Sequence, residues 1–246
     1  LNKVMDTLLS HRSYRSCQAK DVEESQLEQI IKAVQAAPSW INGQQVSVIA
    51  VKDLERKKKL AELCGGQKHV EEAPVFLVFC ADFYRALVAS QMEDLQLHVS
   101  DNIDTLLVGA TDVGIALGAA VTASESFGLG TVPIGGIRRN IKEVIELLEL
   151  PPYVLPVCGL CIGHPAETPE LKPRLPKQAV YHQETYNKDV HTLLEQYNEI
   201  YAEYLERSSQ GKRTGTWTKA VANFYSKEYY QGITEGLKQQ KFLSDK

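Results

Sequence analysis

Residues 11 to 15 set a histidine, two arginines and a hydroxyl in five positions, His11-Arg12-Ser13-Tyr14-Arg15. Such a run can saturate a phosphate with charge-assisted hydrogen bonds, because its donors match acceptor-only oxygens. The same residues also suit a solvated helix end, where cations complement the negative pole of the dipole. A second basic cluster, Lys172-Pro173-Arg174-Leu175-Pro176, carries its charges on a backbone stiffened by prolines on both sides of Arg174. Alone, it reads as a surface linker with incidental charge rather than as a binding segment. A third feature runs Gly128-Leu129-Gly130-Thr131-Val132-Pro133-Ile134-Gly135-Gly136. Glycines on both sides of a short strand let backbone come close to a flat ligand, or simply make a tight junction. Cys158-Gly159-Leu160-Cys161 has the spacing of a redox pair, but it sits in an apolar run that reads as a strand. Side chains three apart on a strand point to opposite faces, and a redox Cys-x-x-Cys normally opens a helix.

Several chemistries have no support in the sequence. No Gly-x-Gly-x-x-Gly opens a βα unit and there is no Walker lysine motif, which argues against a Rossmann or P-loop nucleotide site. The six histidines are scattered and form no His-Glu-x-x-His, so no metal site is expected. No Gly-x-Ser-x-Gly elbow is present.

The elements that must position these residues follow from periodicity and punctuation. Residues 2–10 read as a short helix ending at the basic run. A second helix follows Asp21, with Glu24 completing a capping box, Leu27, Ile30, Ile31 and Val34 as its buried stripe, and Pro38 as its stop. Residues 46–51 and 74–81 read as strands, the second a continuous apolar run buried on both faces. Between them, 54–64 reads as a basic surface helix ended by Gly65-Gly66. Residues 84–98 and 103–127 read as helices. The latter is nearly long enough to span a bilayer, but Asp104, Asp112 and Glu125 interrupt it, which marks a buried central helix. Ala110, Gly114 and Gly118 leave one of its faces nearly bare, suiting close approach by a dimer partner or by another helix of the chain. Strands at 131–134 and 154–162 flank a helix at 140–149. The Pro-rich stretch 167–178 is irregular. Helices at 187–206 and 217–240 are joined by a basic loop, 207–213.

A length of 246 residues suits one large domain. The net charge of −4 and pI near 5.9 give no basic field for nucleic acid. An odd count of five cysteines without a disulfide framework suits a reducing cytosol, and no secretory signal is visible at the N-terminus, so a cytoplasmic location is expected.

As an ordered set, these residues are similar to one family. The landmarks are His-Arg-Ser-x-Arg at 11–15, Gly66-Gln67, Phe79-Cys-Ala-Asp82, Ile134-Gly-Gly-Ile-Arg138, Val154-Leu-Pro-x-x-Gly-Leu and Gly163-His-Pro165. They continue with Lys172-Pro-Arg-Leu-Pro-Lys-Gln-Ala-Val-Tyr-His182 and Gly211-Lys-Arg-x-x-x-Trp217. From Ser10 almost to the end the chain resembles the flavin reductase and oxygen-insensitive nitroreductase group of the nitroreductase superfamily. The resemblance implies an α+β sandwich with a mainly antiparallel central sheet flanked by helices, in an intertwined homodimer with FMN at the interface. It implies one FMN-binding domain over 1–246, with 183–246 as a helical C-terminal extension.

By the same resemblance, His11, Arg12, Ser13 and Arg174 bind the phosphate side of FMN. Arg15 and Lys172 lie toward the flavin N1/O2 edge or the ribityl–phosphate chain. Gln67 faces the pyrimidine edge, backbone at Ile134, Gly135 and Gly136 lines the ring, and Ser39 sits in the flavin loop. Arg213 matches the residue that grips the 2′-phosphate of NADPH. The implied reaction is ping-pong: NAD(P)H, with NADPH the first candidate and NADH a second, reduces the flavin, which then reduces a small-molecule electron acceptor such as free flavin, a nitroaromatic or a quinone. No protein general acid is implied, and neither nucleic acid nor membrane is an expected partner. The flavin loop departs from the family, since Trp40-Ile41-Asn42 replaces a run of serines and Pro133 stands where an aromatic is frequent. Acceptor preference is where these departures bear. A flavin-binding sensor or store without turnover is the alternative from another class, and a thiol–disulfide enzyme using Cys158 and Cys161 is a third.

Overall fold

The computed structural model describes residues 2–100 and 102–243; the ends of the expected 1–246 domain and of its 183–246 extension lie outside them. The chain divides into two compact units, Leu1–Thr168 with Tyr230–Lys246, and Pro169–Tyr229. Strands Val46–Val51 (β1), Val75–Asp82 (β2), Gly130–Ile134 (β3) and Val154–Gly163 (β4) belong to the first unit. So do helices α1 (Lys3–Leu9), α2 (Glu24–Gln35), α3 (Leu54–Leu63), α4 (Lys68–Glu72), α5 (Tyr84–Met92), α6 (Ile103–Ser126), α7 (Ile141–Leu147) and α10 (Ile233–Gln239). The second unit holds α8 (His191–Ser208) and α9 (Trp217–Tyr225).

The four strands form one antiparallel sheet in the order β1-β2-β4-β3, the α+β arrangement expected. Central β2 is buried along its whole length, as a continuous apolar run must be when both sheet faces are covered. Its alternate residues feed two cores: Leu77 and Phe79 with Leu160 and Ile162, and Phe76, Val78 and Cys80 with Cys161. β3 is an edge strand, which is where Pro133 can sit without breaking a ladder on both sides.

Several local expectations are corrected. The cap of α2 is Glu23, in a capping box with Gln26, rather than Asp21 with Glu24. Val22 and Leu27 are both buried in one core, a hydrophobic staple that fixes where the helix begins. The helix expected over 84–98 stops at Met92: Asp94 turns left-handed (φ 52°), and the Leu95 N–H returns to the Ser90 carbonyl. α4 was not expected. Helix α3 is not wholly a surface element, since Lys57 is buried and its Nζ donates to the Ala73 carbonyl at 2.6 Å. The single helix expected over 217–240 is two, interrupted where Tyr230 is left-handed and Gly232 caps α10.

Helix α6 is long and apolar enough to cross a membrane; it packs against α2 and β2 and buries Gly109, Asp112, Val113, Ala116 and Ala120. It is not the buried helix expected, since only 28% of its apolar window is buried and Leu107 and Ile115 are exposed. The close approach within the chain is made at Gly109, where a Cβ would lie 2.8 Å from that of Ala81. Gly114 and Gly118 are exposed, and a Cβ at either would meet nothing within 4 Å. Among the described residues the stripe is left unfilled, and α1 faces Gly118 only across an open cavity.

Candidate cofactor site along strand β3

The basic run after α1 is held by two isolated β-bridges rather than left as a loose helix end. Ser13 bridges Thr131 in parallel, and the Tyr14 N–H donates to the Thr131 carbonyl at 2.9 Å. The Tyr14 ring covers Gly130, where a Cβ would lie 2.7 Å from Tyr14 Cγ. Further along, Cys17 bridges Pro165, and the Ala166 N–H donates to the Ser16 carbonyl at 3.0 Å. Glu167 Oε1 accepts the backbone N–H groups of Arg15 (2.6 Å) and Ser16 (3.0 Å). On this frame His11 Nδ1 lies 2.7 Å from Glu125 Oε1. Arg12 Nη1 donates to the Ser10 carbonyl at 2.9 Å, while its Nε is buried without a partner among the described residues. An orphaned guanidinium N–H beside a histidine and a serine is what an anion would satisfy. Arg15 is exposed, and its charge is felt at His69, whose pKa is lowered first by burial and then by Arg15.

The far end of β3 brings together Ile134, Gly135, Gly136 and Gln67. Gln67 precedes α4, and its Nε2 donates to the Cys64 carbonyl at 2.8 Å. A Cβ at Gly136 would lie 2.5 Å from that Nε2 and 2.7 Å from the Cys64 oxygen, so only glycine allows this joint. Gly135 is open: the one atom near a Cβ there is Arg138 Nη2, at 3.6 Å. Arg138 in turn donates through Nη1 to the Val157 carbonyl. At about 3.3 Å per strand residue, Thr131 and Gly135 stand roughly 13 Å apart. A cation-rich end and an open glycine end on one strand fit a ligand with a phosphate on a chain at one end and a flat ring at the other.

Ser39 is elsewhere in the chain. Its Oγ accepts the Gln44 N–H at 3.0 Å, and buried Asp112 accepts the Trp40 N–H through both oxygens, at 3.2 and 3.3 Å. The cavity of about 240 Å³ beside them is lined by Ser39, Gln44, Arg85 and Asp112 among others, and by none of the residues of β3's two ends. Ile41, Asn42 and Gln44 are all left-handed (φ 52°, 54° and 51°), and Ile41 is 83% exposed. A β-branched residue rarely takes that conformation without a reason.

Lys172, Arg174 and Arg213 belong to the second unit. Arg174 Nη1 donates to the Lys172 carbonyl at 3.0 Å, and the Tyr197 hydroxyl holds the Pro173 carbonyl at 2.8 Å. The Tyr197 ring meets Trp217 edge-on at 5.8 Å. The Lys-Pro-Arg segment is thus anchored rather than a free linker. Arg207 lies in the last turn of α8, not in a loop, and its Nε is committed to Glu170 at 2.9 Å. Arg213 is exposed, and its backbone N–H donates to Ser209 Oγ.

The cysteine pair faces both ways, as the strand reading requires. Cys158 pairs with Phe79 and Cys161 with Phe76, residues of opposite cores. Burial raises both thiol pKa values, so neither is primed as a nucleophile. Among the described residues no cluster of three metal-ligating side chains occurs. Sequence reasoning missed Glu125, Glu167 and Arg138 as parts of the site. The one available signal was that Glu125 and Asp112 are charges in an otherwise apolar helix.

Comparison with known proteins bears on the whole length. A family model described as "Nitroreductase family" matches residues 8–164, and one described as "Nitroreductase family, C-terminal domain" matches 172–245. A Bacillus subtilis protein named FMN reductase (NAD(P)H) is 52% identical, with all of both chains covered. An oxygen-insensitive NADPH nitroreductase of Salmonella typhimurium is 41% identical over 98% of each chain. Among solved structures, an NADPH:FMN oxidoreductase from Vibrio harveyi complexed with NAD+ superposes with a TM-score of 0.90 at 34% identity, covering 99% of this chain and all of that one.

Proposed function

The chain belongs to the nitroreductase family, and on that premise we propose that it is an FMN-dependent NAD(P)H oxidoreductase acting on small-molecule electron acceptors. The observation that carries this reading is the two-ended cradle on β3, with an orphaned Arg12 Nε at one end and the open backbone of Gly135 at the other. Bound there, FMN supplies the redox chemistry, taking reducing equivalents from NAD(P)H and passing them to the acceptor.

The chain supplies position and charge. His11, Arg12 and Ser13 neutralise and orient the phosphate, Gln67 and the backbone of Ile134, Gly135 and Gly136 hold the ring, and Arg15 adds positive charge to the same site. A cation near a flavin ring favours its anionic reduced form, an electrostatic stabilisation that needs no proton transfer from the protein. Lys172 and Arg174 are assigned to the cofactor and Arg213 to the 2′-phosphate of NADPH, with substitution as their test. Ser39 is assigned to the flavin through a second copy of the chain, which fits its absence from the β3 group. The exposed Gly114–Gly118 face of α6 is the surface we assign to that homodimer. We read the chain as one functional FMN-binding domain with a helical extension, working in the cytoplasm.

Arg15→Ala and Arg174→Ala test the assignment directly. Losing one charge-assisted hydrogen bond costs about 1.5–3 kcal/mol, so each variant is expected to bind FMN about 10- to 150-fold more weakly in a fluorescence titration. Unchanged retention in both variants overturns the site. Tight FMN binding without NAD(P)H oxidation in the unaltered protein would make it a flavin store instead.

A further inference from the structure

Glu125 stands in the last turn of α6, and its carboxylate is only 10% exposed. A carboxylate there adds charge to the negative pole of the helix dipole, and burial adds a desolvation cost. Two donors offset this. His11 Nδ1 lies 2.7 Å from Glu125 Oε1, and Thr131 Oγ1 donates to the same oxygen at 2.8 Å. Thr131 is fully buried, and its carbonyl accepts the Tyr14 N–H. One oxygen therefore ties the His11 ring to β3 at the point where residues 13 and 14 join that strand. An ionised carboxylate only accepts, so the imidazole proton sits on Nδ1 and Nε2 is the nitrogen left for a ligand.

We propose that Glu125 is a positioning residue for the flavin phosphate, holding His11 Nδ1–H and the rotation of the ring so that Nε2 is presented to the phosphate. A phosphate oxygen also only accepts. With Nδ1 committed to Glu125, the ring that binds phosphate carries protons on both nitrogens, and Glu125 stabilises that cation. The proposal rests on the reading that His11 holds the FMN phosphate.

FMN and riboflavin differ by that phosphate alone, which supplies the test. Dissociation constants for both ligands are measured with the unaltered protein and with Glu125→Ala, Glu125→Gln, His11→Ala and the double variant Glu125→Ala/His11→Ala. Glu125→Ala is expected to weaken FMN about tenfold and to leave riboflavin unchanged. Added to His11→Ala, it is expected to cost nothing further. Glu125→Gln keeps the size and an acceptor for Thr131 but can turn its NH2 donor toward Nδ1, so it decides the matter if Glu125→Ala does not fold. In that variant the His11 15N shifts are expected to show that the proton is no longer confined to Nδ1. If His11→Ala weakens FMN and neither Glu125 variant does, the proposal fails while the reading of His11 stands. If His11→Ala costs nothing, the reading of the site fails, and the proposal with it. Equal losses for FMN and riboflavin make Glu125 a structural residue only, which also overturns the proposal.

Discussion

A guanidinium grips phosphate with two parallel hydrogen bonds, a geometry no lysine reproduces, so removing the right one has a selective signature. Arg213→Ala is expected to raise KM for NADPH roughly tenfold, equivalent to about 1.4 kcal/mol, and to leave the NADH parameters nearly unchanged. Equal effects on both nucleotides would reject phosphate recognition by this residue. Arg207, its neighbour in the same basic stretch, is a poor candidate because Glu170 already holds it. The thiols give the opposite expectation. Cys158→Ser with Cys161→Ser is expected to leave flavin reduction by NAD(P)H intact in stopped-flow traces, because the two pair with residues of opposite cores and burial raises both thiol pKa values. A well-folded double variant that cannot reduce its flavin would revive dithiol chemistry. At this scale the cations of the site were legible in the sequence, since His11, Arg12 and Arg15 fall with Ser13 within five positions. The carboxylates that place them were not: Glu125 lies 114 positions from His11, and Glu167 lies 152 from Arg15. Nothing local announces such partners.

The junction after β3 separates two glycines that look alike in sequence. Gly136→Ala forces a Cβ onto the Cys64 carbonyl and the Gln67 amide, and such overpacking typically costs about 1–3 kcal/mol. Gly135→Ala meets only the tip of Arg138, at 3.6 Å. Denaturant melts are therefore expected to show Gly136→Ala destabilised and Gly135→Ala close to the unaltered protein. FMN titrations are expected to show weakening in both, in Gly135→Ala because the new methyl group occupies the face assigned to the ring. A Gly135→Ala protein that binds FMN normally would remove that face from the site. The strands were legible because β-branched runs and glycine punctuation are local signals. The start of α2 was misread by two residues, since Asp21 is a good cap in sequence but burial of Val22 and Leu27 chooses Glu23. The break between α9 and α10 was unreadable for a related reason: α10 and the residues after it pack in a core built from segments far earlier in the chain.

For the molecule as a whole, the unfilled stripe on α6 is the most accessible test of assembly. Gly114→Leu has open space within the chain and replaces a poor helix former with a good one, so the single chain is expected to gain up to about 1 kcal/mol. If the stripe meets a second copy, the same leucine blocks it. Light scattering is then expected to find a folded monomer at concentrations where the unaltered protein is a dimer. An unchanged mass would exclude this face as the interface. The two-unit division holds a different lesson. Leu237 and Phe242 are buried in the core of the first unit, and Phe242 meets Phe83 and Tyr153 edge-on at 6.1 and 6.2 Å. Yet residues 169–229, the whole second unit, are made before them. Chains emerge from the ribosome N-terminus first, at about 5–20 residues per second. The first unit therefore has all four strands of its sheet in hand while the slot for Phe242 is still empty, and it must wait several seconds for that aromatic. A nascent chain stalled near residue 230 lacks the ring that packs on Phe83 and Tyr153, so it is expected to expose that apolar surface until synthesis resumes.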